Sequence, residues 1–94
     1  MLSKIPVDIK NVSEGDIDKE ILRAAIVAEL DAVNLYEQMA NLTKNENIKA
    51  VLMDVAKEEK THIGEFQALL LQFDPQHKEE LEAGAKEAED ISSE

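Results

Sequence analysis

Two apolar stripes on a helical period, separated by a short polar segment, confine this chain to an antiparallel helical hairpin. In the first stripe Leu22, Ile26, Glu29, Val33, Tyr36 and Ala40 alternate steps of four and three, the spacing of the face a helix turns toward a partner. The second runs Ile48, Leu52, Val55, Glu59, His62, Phe66, Leu69, Phe73 on the same alternation. The intervening segment 41–47 holds three asparagines, a threonine, a lysine and a glutamate around Leu42. A link this short brings the two helices back alongside each other.

Boundary signals set the organisation. Residues 1–12 carry Pro6 and no clear period, and read as an extended N-terminal arm. Ser13 and Asp16 resemble a capping box, with Gly15 placing the helix start at or just after it. Thr43 and Glu46 form a second candidate box. Asp74-Pro75 supplies an N-cap and a first-turn proline for a third helix. Helices are therefore expected over about 16–41, 46–73 and 75–90 within one domain, 13–91, followed by a tail at 92–94. The third helix, interrupted by Gly84 and poor in large apolar residues, is marginal alone, and residues 89–94 read as solvated.

Ninety-four residues in two long helices and a short one do not enclose a core, so a partner is expected. With 21 acidic against 10 basic residues the formal net charge is −11. That charge repels nucleic-acid phosphates and anionic lipid and favours cations. No cysteine is present, which removes disulfides, thiolate zinc sites and iron–sulfur clusters from consideration. No stretch approaches the roughly 20 apolar residues of a membrane span, and Met1 to Lys10 lacks a signal-peptide core. The expectation is a cytoplasmic protein.

The polar members of the stripes carry the chemistry. Glu29 is the one charge on the first; Glu59 and His62 are the only polar members of the second. A carboxylate facing a packed interface costs several kcal/mol unless it is neutralised or bound to a cation. Glu59 and His62, three apart, share one helix face and form a chelating pair. Asp74 and His77 have the same spacing, but Asp74 is better explained as a cap. Read singly, Glu59 is a stripe-edge carboxylate and His62 a satisfied core histidine; with Glu29 in the same layer of the hairpin the three converge as metal ligands. A four-helix carboxylate di-iron site takes one glutamate from each of two helices and a Glu-x-x-His pair from each of the others. This chain has half of that set. Two copies about a two-fold axis would complete it, with Glu59 placed to bridge two irons.

The stretch Ala28-Glu29-Leu30-Asp31-Ala32-Val33-Asn34-Leu35-Tyr36-Glu37-Gln38, followed by Glu58-Glu59-Lys60-Thr61-His62, resembles the encapsulated ferritins, ferritin-like iron oxidases packaged in encapsulin nanocompartments. The resemblance extends from about Ile21 to the third helix near Leu81. It implies an all-α fold in which the hairpin and its short C-terminal helix form a ferritin-like four-helix bundle on dimerisation, within a larger homo-oligomeric ring. It implies Glu29, Glu59 and His62 as ligands and catalytic residues of a two-iron ferroxidase centre. Tyr36 then stands in a supporting position behind the ligands, and Asp31 and Glu58 lie on the route by which metal arrives.

Departures from the family pattern are specific. Where some members carry an extra acid three before Asp31, this chain has Ala28, and an aromatic found beside the tyrosine is Leu35 here. The family joins its shell through a C-terminal targeting peptide or by direct fusion. Neither is visible by Glu94, as in a chain truncated ahead of one. The expected function is oxidation of Fe²⁺ by dioxygen at a site between subunits, feeding mineral inside an encapsulin shell, with no nucleic-acid or membrane partner. The alternatives are a rubrerythrin-like di-iron peroxidase, which here has no cysteine for a rubredoxin iron, and a non-catalytic acidic assembly module whose Glu29 and Glu59 fix register.

Overall fold

A computed structural model describes Ser13 and residues 15–93; the arm read at 1–12 lies outside the described residues. These residues form three helices, α1 (Ile17–Leu42), α2 (Glu46–Phe73) and α3 (Pro75–Ser92). The fold is all-α. Three polar contacts fix the direction of the α1/α2 pair: Glu37 meets Lys60, Glu29 meets His62 and Arg23 meets Asp74. Positions descend along α1 as they rise along α2, so the helices are antiparallel.

The turn is built by its asparagine rather than its threonine. Asn45 Oδ1 accepts from the backbone N–H groups of Asn47 and Ile48 at 2.9 and 3.0 Å, satisfying two of the orphan donors that open α2. Thr43 does not form the box expected with Glu46. Its hydroxyl accepts from the Asn45 N–H at 3.2 Å, while its own N–H donates to the Met39 carbonyl at 3.1 Å and closes α1. Asn45 immediately precedes the helix, so it takes the cap. At the start of α1 the Ser13–Asp16 box is likewise replaced. Asp16 is the cap residue but makes no side-chain cap bond; its carboxylate instead accepts from the Ser13 hydroxyl at 2.8 Å. That hydroxyl, followed by the Lys19 charge, holds the Asp16 carboxyl below its ordinary pKa.

The hairpin closes over a small core. Among the described residues, Val33 and Ala40 of α1 and Ala56 and Leu70 of α2 are the buried ones, and Leu70 is the only large side chain removed almost completely from solvent. Two alanines among the four let the helix backbones come close. A core this thin leaves much of the apolar content on the surface: Ile21, Leu30, Leu42, Ile48, Val51, Leu69 and Phe73 are all exposed.

Asp74 forms the joint to α3. Its N–H donates to the Leu70 carbonyl and ends α2. One carboxylate oxygen accepts from the His77 N–H at 3.1 Å and starts α3; the other accepts from Arg23 of α1 at 2.9 Å. The His77 bond, seconded by Arg23, holds the Asp74 carboxyl below the usual carboxylate range. Apart from the partly buried His77, α3 is exposed and buries no residue. It runs to Ser92, past the end near 90 read from the sequence. The alanines, glutamates and Lys86 that surround Gly84 are good helix formers and outweigh one glycine, and Ser92 and Ser93 bond back to the carbonyls of Ala88 and Glu89. None of the described helices is long and apolar enough to cross a membrane.

Candidate metal centre

Glu29, Glu59 and His62 come together near the middle of the hairpin, each offering one ligand atom, all within 4.8 Å of one another. Their convergence follows from the two periods. Glu29 sits halfway along α1 and the Glu59/His62 pair halfway along α2, so antiparallel pairing lays them in one layer. His62 Nδ1 lies 3.3 Å from Glu29 Oε2 and 3.6 Å from Glu59 Oε2. The ring nitrogen thus stands between two carboxylates, which it can bridge only by donating to one at a time or by sharing a cation with both.

Exposure shows how the site is oriented. The Glu59 and Glu29 side chains are 17% and 22% exposed, whereas His62 is 45% exposed. On α2 the row turned to α1 is Ala56, Ile63 and Leu70, buried at both ends. The neighbouring row, Ile48, Val55, His62 and Leu69, spaced by seven, is open at Ile48 (51%) and Leu69 (47%). Glu59 therefore belongs to the seam within the hairpin and His62 to the face outside it. The donor set straddles the two.

The chemistry of these donors fits a divalent transition metal. Two carboxylate oxygens and an imidazole nitrogen suit Fe²⁺, Mn²⁺ or Zn²⁺, and three side-chain ligands leave a first-row ion with positions to fill. Tyr36, two turns along α1 from Glu29, is partly buried; Asp31 is partly buried on α1 and Glu58 exposed on α2. Among the described residues, the cluster itself has the three members given. His77 is elsewhere, at the start of α3, where its N–H serves the Asp74 cap. The periodic reading missed two flanking ties. Lys60 donates to Glu37 at 2.9 Å across the hairpin beside the site, and Arg23 reaches Asp74 across 51 positions. Neither pair lies on a stripe, and a charge off the stripe carries no period to mark its partner.

The rubrerythrin family profile matches residues 20–92. A ferritin-like–encapsulin shell fusion protein of Pyrococcus furiosus is 56% identical over 73 residues, which are 78% of this chain and 21% of that protein. An encapsulin nanocompartment cargo protein, EncC, of Myxococcus xanthus is 45% identical over 67 residues, 71% of this chain and 48% of that protein. The chain thus spans half or less of the length of these two curated relatives. The crystal structure of the encapsulated ferritin domain from Pyrococcus furiosus matches 100% of this chain and 98% of its own length, with a TM-score of 0.84 at 46% identity.

Proposed function

The chain belongs to the rubrerythrin family, among the encapsulated ferritins, and from that premise we propose that it oxidises Fe²⁺ to Fe³⁺ with dioxygen at a centre shared by two copies. The observation that carries this reading is the three-ligand cluster of Glu29, Glu59 and His62: it is compact enough to hold an ion, too small to complete a pair of them, and open on its His62 side. Two copies about a two-fold axis supply four carboxylates and two imidazoles. That is the donor count of a four-helix di-iron site.

The division of labour follows from the donor count. Glu59, which shares one helix face with His62, would be the ligand that spans both irons, as the Glu-x-x-His helices of a four-helix di-iron site supply. Glu29 and His62 would be terminal ligands. Anionic oxygens stabilise Fe³⁺ more than Fe²⁺, so four carboxylates favour electron loss, while the unfilled positions admit dioxygen. Two Fe²⁺ would give one electron each, and these two electrons with two protons from solvent take one dioxygen to hydrogen peroxide. Iron is substrate here, and the ferric product leaves. Among the described residues the hairpin buries four apolar side chains, a core too thin to enclose mineral, and in this reading mineral forms outside the subunit. The names of the two curated relatives, one fused to an encapsulin shell and one its cargo, support an encapsulin interior as that place.

The test is anaerobic Fe²⁺ titration followed by exposure to oxygen. Binding should saturate near two irons per dimer, a stoichiometry set by the donor count, and ferric absorbance should then appear. Glu59→Ala removes a ligand from both copies at once and should abolish oxidation with helicity retained. Wild-type rates in that variant, or uptake without a defined endpoint, would favour an acidic assembly module.

A further inference from the structure

We propose that the Lys60–Glu37 ion pair is a positioning clasp for the metal centre: it holds α1 and α2 at the spacing that brings Glu29 to Glu59 and His62 before an ion arrives. The proposal rests on the reading of those three residues as metal ligands and adds two residues that are not ligands. Lys60 directly follows Glu59 in α2 and precedes His62 by two positions. Its Nζ donates to Glu37 Oε2 across the hairpin at 2.9 Å.

Helical geometry puts this pair on the flank of the seam opposite the ligands. In α1, Glu29 and Glu37 stand four residues before and four after the buried Val33. At about 100° per residue they lie about 40° to either side of it. In α2 the inner row passes through Ile63, with Glu59 four residues and Lys60 three residues before it. The same turn places them about 40° and about 60° to opposite sides of that row. Antiparallel packing matches flank to flank, so Glu29 meets Glu59 and His62 on one side and Glu37 meets Lys60 on the other. The Arg23–Asp74 contact also ties α1 to α2, but it lies 12 positions beyond His62, too far along α2 to govern this layer.

The two flanks act in opposite senses. Without a cation, Glu29 and Glu59 present like charges within one compact cluster and push the helices apart. The opposite charges of Lys60 and Glu37 draw the same helices together. The core between them is thin, with four buried side chains among the described residues. An open layer must close before it chelates, and apparent affinity scales with the fraction of protein that is closed. The Lys60 and Glu37 side chains are 58% and 38% exposed. An ion pair that open to solvent biases an equilibrium by no more than about fivefold, too little to decide the fold and enough to show in metal binding.

The test is Co²⁺ titration of the chelator-treated protein under nitrogen, followed by visible absorbance; Co²⁺ stands next to Fe²⁺ in the affinity order. Lys60→Met and Glu37→Gln should each weaken binding by about threefold to fivefold. The double variant should lose no more than either single change, since both remove one contact. Lys60→Arg keeps the contact and should stay within about twofold of wild type. The sign separates position from field, because deleting the Lys60 charge beside a cation site strengthens cation binding when the lysine acts through its field alone. At saturating Fe²⁺ the oxidation rate should match wild type while the half-saturating concentration rises, since a bound ion holds the layer closed by itself. Lys60→Met protein that binds Co²⁺ as tightly as wild type, or a double variant whose losses multiply, would overturn the clasp and leave the ligand assignment standing. A wild-type titration without an endpoint, or one unaltered by Glu59→Ala, would sink the ligand assignment and the clasp with it.

Discussion

Leu69 and Leu70 are neighbours in sequence and should behave as residues of two different structures. Leu70 is 1% exposed and Leu69 is 47% exposed. Truncating Leu70 to alanine removes about three buried methylene equivalents and leaves a cavity, for a cost in the range of about 2.7–5 kcal/mol. That cost falls on the hairpin itself. For Leu69→Ala the same groups are worth about 2.4 kcal/mol when fully buried, and the half already covered within the hairpin accounts for a little over 1 kcal/mol of hairpin stability. The remaining half becomes buried only on association. It amounts to about 1 kcal/mol per chain and about 2 kcal/mol per dimer, or roughly a 30-fold weaker dimer.

The assay is chemical unfolding at protein concentrations spanning two or three decades, with sedimentation of the folded protein. Leu70→Ala should lower the unfolding midpoint by a similar amount at every concentration. Leu69→Ala should show only the hairpin's deficit at the lowest concentrations and a deficit that grows with concentration, as wild type gains dimer stabilisation that the variant lacks, while in sedimentation its dimer should dissociate at a roughly 30-fold higher concentration. Equal, concentration-independent losses in the two variants would refute the division of α2 into an inner and an outer row.

The acid response of the joint has a definite sign. Asp74 has a carboxyl held below its ordinary pKa by the His77 N–H and Arg23; the folded state therefore binds this proton less readily than the unfolded chain. Its contribution to stability is complete above the ordinary carboxylate pKa, near 4, and is lost as pH falls through the depressed folded value. In melting curves below about pH 5, Asp74→Asn, which keeps a capping side chain but no charge, should flatten this loss and leave a smaller slope from Asp16, whose carboxyl is shifted the same way. Zn²⁺ at one equivalent per Fe²⁺ site should suppress oxidation and excess Fe²⁺ or chelation should restore it, since the mixed ligands bind zinc at least as well as Fe²⁺ but zinc does not change oxidation state. His62→Ala should slow oxidation by orders of magnitude and His77→Ala should leave it near the wild-type rate; equal losses would detach the chemistry from the cluster.

What could be read from sequence was whatever the helical period controls. The stripes gave the all-α hairpin, and the three polar interruptions of those stripes are the residues the fold gathers within 4.8 Å. Caps were harder. At both the Ser13–Asp16 and Thr43–Glu46 sites a box pattern is present in sequence, yet the chain satisfies its donors differently, because a competing residue (Asn45) or a local hydroxyl–carboxylate bond lies closer. The Arg23–Asp74 contact was invisible for another reason: 51 positions separate its partners, and only the hairpin's register brings them together. The inner and outer rows of α2 were likewise merged in the stripe. Period locates a face to within about a quarter turn, whereas the difference between Leu69 and Leu70 is a single step of about 100°.

The standing-off of α3 has a mechanical meaning. Eighteen residues of exposed helix make a rod about 27 Å long, anchored where Asp74 is bonded on three sides. A pull or twist on the far end of that rod is transmitted to the hairpin as torque on one short joint, more than 10 residues from the metal ligands along α2. A load on the far end of α3 would reach the ligands only through the bonds of Asp74 and the length of α2.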